Sequence, residues 1–222
     1  MMIRTNPFKL KPKKISDNVI YNISTLFFKI SLILWNRLEV YNAHLIPKSG
    51  GILIVTNHAS YLDPPIIGVA ARYRPVHFMA RNTLWKNKFA KWWLNNVCCV
   101  PVSRDTGDIA ALKKSISILK NGKVLSIFPE GTRTIDGNLQ DAKSGVGFII
   151  EKSKCVVVPA YIDGSFKSFS KNCKWIKPNK IKIIFANPID NNDFLSLGEG
   201  KGSYDLYVDL IMRKIKEIKD AI

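Results

Sequence analysis

A chain of 222 residues, 46% hydrophobic and 23% charged, is built for one compact domain, which excludes a disordered chain, a collagen-like repeat and a polytopic membrane protein. Its 34 Lys and Arg stand against 17 Asp and Glu, a net of +17, so the surface favours nucleic acid, an anionic membrane leaflet or a phosphorylated substrate. Cys98, Cys99, Cys155 and Cys173 form no C-x-x-C and no paired spacing with histidine, which signals neither zinc nor a disulfide framework and reads as reduced thiols in a cytosolic compartment.

Residues 1–14 carry Arg4, Lys9, Lys11, Lys13 and Lys14 and no acidic residue. The apolar run that follows, VIYNISTLFFKISLILW at 19–35, is shorter than the ~20 residues that span a bilayer. It ends in Trp35-Asn36-Arg37, which is no cleavage site, so a secretory signal is excluded. Asn22, Thr25 and Lys29 recur at helical spacing, with Ile23, Phe27, Ile30 and Leu34 elsewhere. An amphipathic helix lying in the membrane interface is the expectation, with a core helix or a spanning one as alternatives. The chain accordingly divides into a basic arm with an interfacial segment, 1–35, and a domain, 36–222.

From Arg37 onward short apolar runs alternate with helical patterns, the mark of an α/β fold. Strands are expected at 51–56, 76–80, 98–102, 124–128, 155–161 and 180–186. Asp63-Pro64-Pro65 opens a helix running to Arg72, with Asp63 as N-cap and proline at the first helical position. Ile109, Leu112, Ile116 and Leu119 mark another, closed by Asn121-Gly122. Residues 146–152 form a short third helix, and Leu206, Leu210, Ile211, Ile215 and Ile218 define a basic C-terminal one. Residues 191–203 read as a polar loop. Cys98 and Cys99 read as small apolar residues of a buried strand, and Pro159 demands a sheet edge or an irregularity. The fold class is α/β: a single domain with a mostly parallel mixed sheet flanked by helices, preceded by the interfacial helix.

Two polar clusters follow strands directly, where α/β folds place ligands. In Asn57-His58-Ala59-Ser60-Tyr61-Leu62-Asp63, a turn between His58 and Asp63 lets the carboxylate hold one ring nitrogen while the other faces a substrate, the arrangement of a general base. The plainer alternative is a cap and a strand-end histidine. In Phe128-Pro129-Glu130-Gly131-Thr132-Arg133, Gly131 permits a tight turn and Arg133 offers a fork suited to phosphate, the alternative being a Glu130–Arg133 surface ion pair. The strand at 98–102 delivers Arg104 to the same end. No G-x-S-x-G and no Walker A loop occurs, so a serine hydrolase and a P-loop enzyme are not indicated. Covalent cysteine chemistry has no base beside it.

The blocks NHASYLD (57–63), VPVSR (100–104), FPEGTR (128–133) and VVPA (157–160), in this order, resemble the four blocks of the glycerolipid acyltransferase family over about residues 36–190. The resemblance implies an α/β acyltransferase on the cytoplasmic membrane face, monotopic or peripheral, with two N-terminal helices dipping into the bilayer. It implies His58 as general base and Asp63 as its orienting partner, with Arg104, Glu130, Gly131 and Arg133 holding a phosphate-bearing acceptor. Asn57 and Ser60 would shape the turn, and Lys143 and Gly145 match further family positions. Arg81 stands where many relatives carry lysine, which keeps the charge for a phosphate role but changes its geometry, and Asn42 stands where many carry glycine.

The implied reaction is acyl transfer from acyl-CoA or acyl-acyl carrier protein, as co-substrate, to the sn-2 hydroxyl of lysophosphatidic acid, giving phosphatidic acid in phospholipid biosynthesis. It calls for no metal and no cofactor. Another acceptor, such as lyso-ornithine lipid or a different lysophospholipid, is the alternative. The expected partners are a phospholipid surface, the lysophospholipid and the acyl donor. Nucleic acid is not among them, because the aromatics sit near the N-terminus or in apolar runs instead of alternating with basic residues on a reading surface. Intact His58 and Asp63 argue against a non-catalytic membrane adaptor.

Overall fold

The computed structural model describes residues 2–5, 18–71, 74–102 and 109–222. Among these, eight strands build one sheet: β1 (Arg4–Thr5), β2 (Glu39–Tyr41), β3 (Ile52–Thr56), β4 (Val76–Arg81), β5 (Cys99–Val102), β6 (Val124–Ile127), β7 (Val156–Asp163) and β8 (Lys182–Phe185). Their order is β1-β2-β8-β7-β3-β6-β4-β5. The five strands from β7 to β5 run parallel, β8 is antiparallel to β7, β2 parallel to β8, and β1 antiparallel to β2. This is the mostly parallel mixed sheet that the apolar runs predict.

The period of two along each strand sorts the core into two layers. Ile52 and Ile54 of β3 pack with helix α2 (Asp63–Ala70) and with Leu32 of α1 (Val19–Asn36) on one face. Leu53 and Val55 turn to the other face, against α4 (Ile109–Lys120), α5 (Gly145–Ser153) and α8 (Tyr204–Asp220). With both faces covered, β3 reads as an unbroken ILIVT, and all five of its residues are buried. Because β3, β4, β5, β6 and β7 are parallel, the segments that follow them emerge along one edge of the sheet. Residues 57–63 and 128–133 are therefore neighbours although about 70 positions apart.

Several elements depart from expectation. A basic, aromatic helix α3 (Lys88–Asn96) and a short α6 (Ser165–Phe169) were not signalled by periodicity. Residues 191–203 are not all loop: α7 (Asn191–Leu195) is started by a reciprocal cap between Asp190 and Asp193 and held by buried Phe194. Cys98 precedes β5 at φ 60, in the left-handed region, and both it and Cys99, the first residue of β5, are half-buried instead of buried. Pro159 lies inside β7, between β3 and β8, at an irregularity: β8 breaks at 186–188 beside it, and the Pro159 carbonyl accepts from Ala186 N. Arg72, the expected end of the second helix, lies outside the described residues, and α2 ends at Ala70.

The N-terminal helix packs on the domain along one face and leaves an apolar face exposed. Asn18 caps it, accepting from Ile20 N and Tyr21 N at 2.9 and 3.2 Å. Tyr21, Leu32 and Asn36 are buried in the domain. The Tyr21 hydroxyl accepts from Val76 N at 3.0 Å, and Asn36 Nδ2 donates to Ser168 Oγ at 2.8 Å. The opposite face carries exposed Val19, Ile23, Leu26, Phe27, Ile30 and Leu34. A helix of 18 residues is about 27 Å long, long and apolar enough to cross a membrane by length and composition, and here it is tied lengthwise to the domain. Of the two N-terminal helices implied by the resemblance, the described residues hold this one; Lys9, Lys11, Lys13 and Lys14 lie outside them. Asn42 adopts φ 59, the left-handed region where asparagine is the best tolerated residue after glycine. Its side chain accepts from Ile3 N and donates to the Phe185 carbonyl, pinning the β1 edge.

Candidate active site

His58 and Asp63 meet just beyond the end of β3. The Asp63 carboxylate, fully buried, receives His58 Nδ1 at 2.8 Å and the backbone N–H groups of Ala59 and Ser60 at 2.7 Å each, all on Oδ2. From its sequence context Asp63 is expected to cap α2. It is instead the first residue of that helix, with Leu62 as cap, and its carboxylate closes the loop that precedes it. The negative charge sits at the positive end of the helix dipole, a favourable place for a carboxylate. With Nδ1 donating to Asp63, a neutral ring carries its lone pair on Nε2.

The histidine is held from further sides. Its ring stacks on Phe128 with centroids 3.9 Å apart and planes 13° from parallel. Its backbone N–H donates to Glu130 Oε1 at 3.0 Å, and its carbonyl accepts from Thr134 N at 2.9 Å. Neighbours brace the loop: Asn57 exchanges two hydrogen bonds with the backbone of Ile162, extending the β3–β7 ladder, and Ser60 Oγ donates to the Phe169 carbonyl. The roles of Asn57 and Ser60 are thus to shape the turn.

Glu130 is buried among these groups. Burial pushes its carboxyl up to about 7, the backbone N–H groups of His58 and Gln140 pull it down, and the charge of Asp63 adds to the rise. Its oxygen meets the loop that carries His58, and no ion pair with Arg133 forms among the described residues. Gly131 turns at φ 73, and a Cβ there would meet the Lys143 side chain at 2.9 Å. Lys143 N donates to the Pro129 carbonyl, and Gly145 begins α5. Arg133 is half-buried with its guanidinium carbon 3.4 Å from the centroid of Tyr61.

These groups open on a cavity of about 1220 Å³. His58, Tyr61, Arg81, Gly131 and Arg133 line it, so the structure gathers His58, Gly131, Arg81 and Arg133 at one cavity with Asp63 and Glu130 behind them. Much of the wall is apolar, with Phe28, Val69, Phe78 and Leu94 among its members. Arg104 lies outside the described residues. Tyr61 and Phe128 also belong to the site, beyond the residues that the sequence singles out. Both lie inside the quoted blocks, and an aromatic beside each of the two polar clusters is the signal that was there to find. Cys99 also lines the cavity, but burial pushes its thiol up to about 12, so no thiolate nucleophile is on offer.

Known proteins resemble this arrangement. A sequence model of the family described as Acyltransferase matches residues 37–163, more than half of the chain. The 1-acyl-sn-glycerol-3-phosphate acyltransferase of Bacillus subtilis (strain 168) is 28% identical over 202 residues, covering 91% of this chain and 98% of that protein. The protein of the same name from Borreliella burgdorferi is 27% identical over 194 residues, 86% of this chain and 77% of that one. The crystal structure of the 1-acyl-sn-glycerophosphate acyltransferase PlsC from Thermotoga maritima shares 26% identity at a TM-score of 0.74, over 90% of this chain and 79% of that one. With a family match that takes in β2 through β7 and both polar clusters, the chain belongs to the acyltransferase family and is an enzyme of acyl transfer.

Proposed function

We propose that this acyltransferase moves a fatty acyl group from a thioester, acyl-CoA or acyl-acyl carrier protein, to the sn-2 hydroxyl of lysophosphatidic acid, giving phosphatidic acid. The observation that carries this reading is the His58–Asp63 pair, 2.8 Å apart, opening on a largely apolar cavity that Arg81 and Arg133 also line. His58 Nε2 takes the proton of the attacking hydroxyl as its oxygen bonds to the thioester carbonyl carbon. Asp63 stabilises the imidazolium that forms. Collapse of the tetrahedral intermediate breaks the C–S bond, and the imidazolium returns the proton to the departing thiolate. The ester, the free thiol and neutral His58 result, with every proton accounted for and no metal or further cofactor called on.

The two arginines suit a phosphate monoester, whose oxygens accept paired N–H donors. Glu130 is better placed to position His58 through its backbone than to touch an anionic acceptor, which its charge would repel. The apolar wall suits acyl chains, and the exposed apolar stripe of α1 suits a monotopic seat on the cytoplasmic face, where soluble thioester donors are found. The relatives named for 1-acyl-sn-glycerol-3-phosphate support the acceptor.

Purified full-length protein, incubated with labelled acyl-CoA or acyl-acyl carrier protein and a panel of acceptors, tests the reading. Lysophosphatidic acid is expected to give labelled phosphatidic acid at the highest kcat/KM. Faster turnover of lyso-ornithine lipid or of a zwitterionic lysophospholipid would replace the acceptor and leave the reaction class in place.

A further inference from the structure

The segments flanking α1 carry side chains that neither the catalytic groups nor the core accounts for. One flank is the turn and helix at 82–96. Its Trp93 and Leu94 face inward: Trp93 Nε1 donates to Ser24 Oγ of α1 at 2.9 Å, and Leu94 is buried. Phe89 and Trp92 are exposed, their rings tilted against each other with centroids 5.8 Å apart, and Phe89 is 73% exposed. The other flank is the loop at 171–177, joined to the far end of α1 by Trp35 Nε1 donating to the Ile176 carbonyl at 3.1 Å. Its Trp175 is 82% exposed. Between the flanks runs the apolar stripe of α1, from Val19 to Leu34.

Charge follows the same outline. Lys86, Lys88 and Lys91 on one flank and Lys171, Lys174 and Lys177 on the other are all exposed. No Asp or Glu occurs at 18–38, 75–102 or 164–188, the stretches that contain the three elements. Thr25 and Phe28 of α1, Thr83 and Leu84 of the first flank and Lys171 and Ile176 of the second also line the cavity, so the same elements form its walls.

We propose that these two flanks and the α1 stripe form one face that docks on an anionic bilayer, with Phe89, Trp92 and Trp175 entering the interface, the six lysines meeting lipid phosphates, and the cavity held open toward the membrane. The inference rests on the membrane seat proposed for α1 and extends it: the catalytic domain itself contacts lipid. Aromatic rings and lysines side by side are the composition that settles at a headgroup boundary. A patch so apolar, continuous with α1 and free of acidic residues, matches an anionic lipid surface better than it matches water. An acceptor with its chain in the leaflet then reaches His58 without leaving the membrane.

The test uses the full chain and vesicles of phosphatidylcholine with or without phosphatidylglycerol. Phe89→Ala and Trp175→Ala change exposed side chains that do not line the cavity, so turnover of a short-chain, water-soluble acceptor stays at the wild-type level. Each is expected to lower partition into anionic vesicles about tenfold, the scale set by burying one large apolar side chain. The fluorescence difference between wild type and Trp175→Phe, which isolates Trp175, is expected to be quenched by lipids brominated on their acyl chains. Wild-type partition in both variants with Trp175 unquenched would overturn this proposal while leaving α1 as the anchor. A wild-type chain that fails to bind vesicles at all would overturn the membrane seat itself. A change in oligomeric state on substitution, with vesicle binding unaltered, would assign the face to a second copy and likewise overturn it.

Discussion

The guanidinium carbon of Arg133 lies over the ring of Tyr61, 3.4 Å from its centroid, at the wall of the cavity that His58 also lines. An aromatic face orients a planar cation without consuming its N–H donors, so the fork stays available to a phosphate. Arg133→Lys is expected to raise KM for the phosphorylated acceptor about tenfold or more, because an ammonium offers neither the stack nor paired donors. Tyr61→Phe keeps the face and should behave as wild type, whereas Tyr61→Ala should follow Arg133→Lys. Steady-state kinetics against acceptor concentration decide it, and equal KM values in all four proteins would take Arg133 off the phosphate.

Replacing His58 with alanine removes the one imidazole of the site, and turnover should fall by about 10² to 10⁴. Asp63→Asn keeps an oxygen for the Ala59 and Ser60 N–H groups and loses the charge that supports an imidazolium. It should therefore melt near wild type while losing most activity. Asp63→Ala strands three N–H donors and should lose stability as well. Thermal melts beside turnover numbers separate these effects; full activity in folded His58→Ala protein would end the general-base mechanism.

The raised carboxyl of Glu130 ties stability to pH. Its ordinary value is 4.5 and burial pushes it to about 7, so between these values the folded chain holds a proton that the unfolded chain releases. The contribution of this group is complete below 4.5 and is lost as pH rises through 7. Glu130→Gln keeps an acceptor for His58 N and cannot ionise. Its Tm relative to wild type is expected to rise steadily from pH 5 to pH 8, and a constant gap across that range would show that Glu130 does not titrate there.

The two faces of α1 are expected to separate cleanly in experiment. Leu32→Ala cuts into the core and should cost about 2–5 kcal/mol by denaturant unfolding. Ile23→Ser with Leu34→Ser lies on the exposed stripe and should leave the unfolding midpoint alone while weakening vesicle binding. Removing residues 1–35 would do both at once, since Tyr21 and Leu32 leave with the stripe. Equal unfolding midpoints for Leu32→Ala and wild type would show that the helix does not belong to the core.

Much of the site was legible because its signals are local. ILIVT followed at once by NHASYLD places a polar cluster at a strand end, and the alternation of apolar runs with helical patterns implies parallel strands whose ends gather. A five-residue spacing between His58 and Asp63 needs only a turn to close. The partners of these residues were not legible, because they come from distant positions: Glu130 reaches the His58 backbone across 72 residues, and Asn57 reaches Ile162 across 105.

What the amino-acid sequence determined by itself was the α/β class, the strand-end clusters and the unusual positive charge, all set by composition and short-range pattern. Only the tertiary structure decided how those patterns are used. The sequence leaves Asp63 open as a partner of His58 or a mere helix cap, and the folded loop decides it, because its Ala59 and Ser60 N–H groups converge with His58 Nδ1 on one carboxylate oxygen. The apolar residues of 19–35 read as a membrane-interfacial helix, with a core helix as the alternative, and the pattern alone does not say which face packs on the domain. Which face is buried follows from Val76 and Ser168 lying where Tyr21 and Asn36 can reach them, a matter of long-range packing that no local window contains.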